Sequence, residues 1–140
     1  SKKQIKSLMK LTKTLIKKYK IKKNNILGHS DIAPSRKKDP GEKFPWKILY
    51  KNKIGIWHDL NNKILISLRG KSISLKEFTL FMKKLRKFGY SNKGIVIKNK
   101  QQYSRILIKA FQRRFRPELI NGKIDKECLL IMNKIASIKA

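Results

Sequence analysis

Between Gln4 and Lys20 the chain reads QIKSLMKLTKTLIKKYK, with Ile5, Leu8, Met9, Leu15, Ile16 and Tyr19 recurring at three- and four-residue intervals among lysines. That spacing predicts an amphipathic helix docked on a core with its lysines solvated, although a basic helix of this kind can also lie on a membrane surface. KKNN ends it. The short run ILGH then predicts a buried strand that delivers His29 into the loop SDIAPSRKKDPG. In FPWKILYKNKIGIW, Pro45 suits a first helical turn and the pattern predicts a short helix to about Lys53. From Trp57 to Ser74 the helical period fades and Asn, Gly and Ser accumulate, which predicts an ordered linker with a strand at ILISL.

Three further helical patterns follow. Leu75 to Phe88 turns Leu75, Phe78, Phe81, Met82 and Leu85 inward; Gln101 to Phe115 does the same with Tyr103, Ile106, Leu107, Ala110 and Phe111; Lys126 to about Ile138 uses Leu129, Met132, Ile135 and Ala136. GYSNKG punctuates the first, Pro117 and the Asn121-Gly122 turn the second, and Asp125 is placed to cap the third. Short helices with apolar stripes predict a small helical bundle. The expected organisation is a first part over residues 1–57, a linker over 58–74 and a three-helix domain over 75–140. With a strand feeding the loop at His29, the class is α+β.

Composition narrows the choices. At 140 residues the chain can bury a sizeable core, and no apolar run approaches the roughly 18 residues that a membrane-spanning helix needs. Ser1 stands where a methionine would, as in a processed or truncated piece of a longer chain. One cysteine, Cys128, excludes an internal disulfide and a thiolate metal cluster. The net charge of +29 fits a nucleic-acid binder, a partner of anionic envelope polymers, or simple residue bias, since 30 of the 37 basic residues are Lys. Base reading calls for arginines interleaved with exposed aromatics, and only 7 arginines occur.

The candidate chemistry sits in GHSDIAPSRKKDPG. Imidazole nitrogen and carboxylate oxygen are both zinc donors, and a catalytic zinc takes three protein ligands plus water. His29 and Asp39 would supply two of them. Pro40 steers Asp39 away from helical geometry, so the turn can aim its carboxylate back toward His29. Lys37, two residues earlier, emerges on the same side and could stabilise an oxyanion on a metal-polarised carbonyl. The same residues also read as a packing histidine, a turn-forming aspartate and a solvated lysine. His58 is a poorer candidate, and Ser30 and Asp31 are expected to bond the local loop backbone.

The stretch ILGHSDIAPSRKKDPGEKFPW, as a whole, resembles the block that ends the catalytic domain of the zinc-dependent N-acetylmuramoyl-L-alanine amidases of the AmpD/AmiD type, the amidase_2 family with a peptidoglycan-recognition-like fold. The helix at Gln4 to Lys20 is similar to that family's last long helix. FMKKLRKFGY and LIKAFQRRFRPELINGKIDKECLLIMNKI resemble the three-helix peptidoglycan-binding module of the AmiD subgroup, with INGKID a mild departure from its signature.

The resemblance implies that His29 and Asp39 are zinc ligands and that Lys37 faces the scissile carbonyl. It also implies a zinc cofactor, peptidoglycan or muropeptides as substrate, and a place in the cell envelope or periplasm. In the family a further His ligand and a Glu that handles the proton of the attacking water lie upstream of this block. Their absence here leaves the chain alone short of a ligand and a base, with a partner chain as one source of both. A non-catalytic peptidoglycan-binding fragment is the alternative, and a basic nucleic-acid binder the more distant one.

Overall fold

The computed structural model describes residues 1–91 and 99–139, with the side chain of Lys139 excepted. Asn92, Lys93 and Gly94 of the expected GYSNKG turn lie outside the described residues. The described elements are α1 (Lys2–Tyr19), a 3-10 turn (Lys23–Asn25), α2 (His29–Ile32), α3 (Trp46–Lys51), α4 (Asn62–Leu68), α5 (Leu75–Phe88), α6 (Lys100–Phe115) and α7 (Lys126–Lys139).

They group into two compact units, one of Ser1–Leu27 with Pro45–Trp57 and one of Gly28–Phe44 with His58–Ala140. The loop that carries His29 and Asp39 therefore groups with the C-terminal helices.

In the first unit the Ser1 hydroxyl accepts the Gln4 backbone N–H, and Lys20 closes α1 in the left-handed region at φ 51°. The expectation of a docked α1 is corrected: none of its residues is buried, and Leu11, Leu15 and Tyr19 are exposed. Only Ile5, Leu8, Met9, Thr12 and Ile16 are half-covered. The buried hydrophobic residues of this unit are Trp46 and Leu49 of α3 with Ile54, Ile56 and Trp57. α3 begins after Pro45 and ends when the Asn52 N–H turns back to the Ile48 and Leu49 carbonyls.

The second unit has the expected bundle core. Phe81, Met82 and Leu85 of α5 are buried, as are Leu107, Ala110, Phe111 and Phe115 of α6 and Ile131, Met132 and Ile135 of α7. Phe81 meets Phe111 edge to face at 5.2 Å, a geometry that aligns a positive ring edge with a negative ring face. Leu75 departs from the pattern at 81% exposure, because it occupies the first helical position just after the Ser74 cap.

Among the described residues there is no strand, which corrects the α+β expectation. Ile26–His29 forms no ladder: Leu27 is exposed, Gly28 is extended and His29 opens a helix. ILISL lies within α4, capped by the Asn61 side chain on the Lys63 N–H at 2.8 Å and burying Leu65. A four- or five-residue apolar run carries too little periodicity to tell strand from short helix, and here the cap decides.

Polar side chains fix the C-terminal helices where apolar packing alone would let them slide. Asp125 caps α7 by accepting the Cys128 N–H at 2.9 Å, as expected, and also takes the Gly70 N–H at 3.0 Å. Glu127, fully buried, accepts both arms of the Arg69 fork at 2.8 Å. Gln112 bonds the Gly122 N–H at 2.9 Å and the Lys123 carbonyl at 2.7 Å, holding the α6–α7 turn. Gly122 sits there at φ +74°, where a Cβ would come within 2.6 Å of the Arg105 side chain.

Candidate metal and active site

The loop from Gly28 to Phe44 folds back on itself, so that Asp39 returns to the start of α2. Gly28, extended at φ −92°, caps α2, and His29 is the first helical residue. The Ser30 N–H donates to the Asp39 carbonyl at 2.8 Å, and the Arg36 and Lys37 N–H groups both return to the Ala33 carbonyl at 3.0 and 2.9 Å. These bonds fold the nine positions between His29 and Asp39 into a closed turn, and the Asp39–Pro40 peptide bond is cis.

The closure brings the two sequence-predicted donors together, with His29 Nδ1 2.5 Å from Asp39 Oδ2. Both side chains are open to solvent, at 70% and 61% exposure. The bond to His29 holds the Asp39 carboxyl below the usual carboxylate range against a small desolvation effect, and Lys37 adds a weaker attraction. Lys37 is exposed. The three predicted residues thus share one turn, with the lysine's charge felt at the carboxylate.

An imidazole nitrogen and a carboxylate oxygen converging on one open point fit two positions of a zinc site. No group of three or more His, Cys, Asp and Glu able to hold a metal occurs among the described residues. The pair fits zinc as part of a ligand set, and a complete set needs a donor besides these two. His58 lies elsewhere: it is buried, its Nε2 is 3.2 Å from the Phe115 carbonyl and its Nδ1 accepts the Leu60 N–H at 3.1 Å. With Nδ1 accepting, the proton belongs on Nε2, and the ring joins two backbone segments.

Asp31 differs from its sequence reading. It does bond the local backbone, with Oδ2 accepting the Gly28 N–H at 2.8 Å. Its other partners come from far along the chain: Oδ1 accepts the Tyr90 hydroxyl at 2.6 Å, and Oδ2 also accepts from the Arg114 guanidinium. Burial pushes the Tyr90 hydroxyl well above its ordinary pKa, and the Asp31 charge adds to the effect.

Periodicity could not reveal this, yet the arginines carried a signal. In a chain so rich in lysine, Arg69, Arg114 and Arg116 pair with Glu127, Asp31 and Asp125, all three of them buried carboxylates. Arg is suited to that task because its planar fork is weakly hydrated and matches a carboxylate edge.

Known proteins resemble the chain across this loop. Residues 1–42 match the family model Amidase_2, described as N-acetylmuramoyl-L-alanine amidase. The chain is 39% identical over 125 residues to N-acetylmuramoyl-L-alanine amidase AmiD of Escherichia coli (strain K12), an alignment covering 89% of this chain and 44% of that protein. It is 54% identical over 43 residues to 1,6-anhydro-N-acetylmuramyl-L-alanine amidase AmpD of Enterobacter cloacae, over 31% of this chain and 23% of that one.

Among solved structures, E. coli AmiD in complex with the substrate anhydro-N-acetylmuramic acid-L-Ala-D-gamma-Glu-L-Lys superposes with a TM-score of 0.78 and 33% identity, over 96% of this chain and 51% of that one. AmpDH3 from Pseudomonas aeruginosa gives 0.75 and 32%, over 96% and 52%. The chain spans about half the length of these solved relatives, and its likeness to AmiD runs well past the loop into the C-terminal helices.

Proposed function

We propose that this chain forms part of a zinc-dependent amidase that hydrolyses the bond between the lactyl group of N-acetylmuramic acid and L-alanine in peptidoglycan or muropeptides. One observation carries the reading: His29 and Asp39 meet at 2.5 Å on an open turn inside the segment that matches the amidase model. His29 and Asp39 hold the metal. Zinc supplies a bound water of lowered pKa, near ~7, and a Lewis acid for the amide carbonyl. Lys37, on the same turn, sets its ammonium against the negative charge that develops on the carbonyl oxygen. The third ligand and the group that takes the water's proton come from outside the described residues, as the family resemblance implies. Residues 75–140 serve as the peptidoglycan-binding module, and the reaction takes place in the cell envelope.

The test is release of stem peptide from anhydro-muropeptides by the protein as the cell makes it. Asp39→Ala should lower turnover by more than about 100-fold, since loss of a ligand exceeds the 10- to 100-fold typical for loss of a ligand's own partner. Turnover equal to that of the unaltered protein would remove Asp39 from the site.

A second reading follows from the incomplete ligand group: the chain binds the wall without catalysis. Retention on insoluble peptidoglycan at raised salt, with no stem peptide released, would favour it. Attraction to nucleic acid should instead collapse as salt rises.

A further inference from the structure

Two segments separated by most of the chain, GHSDIAP and AFQRRFRP, meet at a single carboxylate. Asp31 is 7% exposed, and the Arg114 side chain that reaches it is 2% exposed. With the Gly28 N–H and the Tyr90 hydroxyl the carboxylate receives three donors, enough to satisfy a buried charge.

These bonds bear directly on the candidate site. Gly28 immediately precedes His29, so the Asp31 carboxylate fixes the backbone on one side of that residue while its own helical turn fixes the other. Ser30, between them, holds the Asp39 carbonyl. A continuous path therefore runs from α6 and Tyr90 through Asp31 to the backbone of both candidate ligands. The ligand side chains are largely solvent-exposed, so packing among the described residues does little to aim them. Their geometry must come from the backbone beneath. Stability gives no obvious reason for the arrangement, because a buried ion pair is often no better than apolar residues of equal volume.

We propose that Asp31, gripped by Arg114 and Tyr90, is the positioning residue of the His29–Asp39 pair, which makes α6 part of the scaffold of the candidate site as well as of the helical bundle. The proposal rests on the reading of that pair as metal ligands. It assigns Arg114 and Tyr90 a role in metal affinity although neither reaches the metal.

Tyr90→Phe keeps the ring and its packing while removing the hydroxyl; Arg114→Lys keeps the charge that Arg114→Ala removes. Each variant of the full chain is followed by the ring-nitrogen resonances of His29 in the metal-free protein, and by titration with zinc alone against a chromophoric chelator. Tyr90→Phe should move the His29 resonances toward those of free imidazole and weaken zinc binding roughly 10-fold, as loss of a ligand's support does elsewhere. Arg114→Ala should do more, and Arg114→Lys should restore part of the loss.

Unmoved His29 resonances and zinc affinity within twofold in folded Tyr90→Phe would overturn the proposal. A chain that takes up no zinc before any substitution would overturn the metal reading instead, and the His29 resonances would still decide whether Asp31 positions the pair.

Discussion

Asp31 and Asp39 belong to one turn and are the same residue type, yet the fold assigns them opposite environments. Asp31 is buried and saturated by a guanidinium, a phenol and a backbone amide. Asp39 is exposed, and its carboxylate pairs with the imidazole of His29. A carboxylate buried with three donors has little accepting capacity left for a ligand and a large penalty for losing a donor. An exposed one bonded to a single imidazole can exchange that bond for a metal at small cost. On the proposed function, chemistry and support are divided between two aspartates eight positions apart in sequence.

The sharpest way to break this contrast is to delete each carboxylate and compare stability. Asp31→Ala leaves the Arg114 charge buried without its partner and should lower the unfolding free energy by about 3–5 kcal/mol in a denaturant titration. A loss under about 1 kcal/mol would show that the buried pair is not held as described.

Removing only the Tyr90 hydroxyl by Tyr90→Phe deletes one bond to a charged acceptor, and the same titration should lose about 1.5–3 kcal/mol. pH gives a milder probe of the same contact. The folded-state pKa of Tyr90 is raised, so its contribution to stability is complete below the ordinary tyrosine pKa and is lost as pH rises through the alkaline range. Ultraviolet titration should find Tyr90 the last of the four tyrosines to ionise, together with alkaline unfolding. Ionisation of all four in the ordinary range, with the fold intact, would contradict its burial. The smallest effect on stability belongs to Asp39→Ala, which should leave the denaturant midpoint nearly unchanged, as loss of an exposed pair does, while lowering turnover by more than about 100-fold.

The contrast also shows what could be read from the chain. The helix at Leu75–Phe88 was legible from its apolar stripe; the structure adds a capping box, with the Glu77 carboxylate on the Ser74 N–H at 2.7 Å. α6 and α7 followed from the same local rules. The strands expected at ILGH and ILISL failed because short apolar runs have no period of their own, and capping and burial decided them. The approach of Asp39 to His29 was legible in the turn at Pro40. Tyr90 and Arg114 were not, since no spacing links them to Asp31.

The sequence by itself determined the helices, their caps and the residue types gathered in one turn, because these depend on neighbours three or four positions away. Only the tertiary structure decided which aspartate is buried and which is free. That choice rests on a guanidinium 83 residues from Asp31, and the penalty for burying a charge is settled by what the folded chain brings to it.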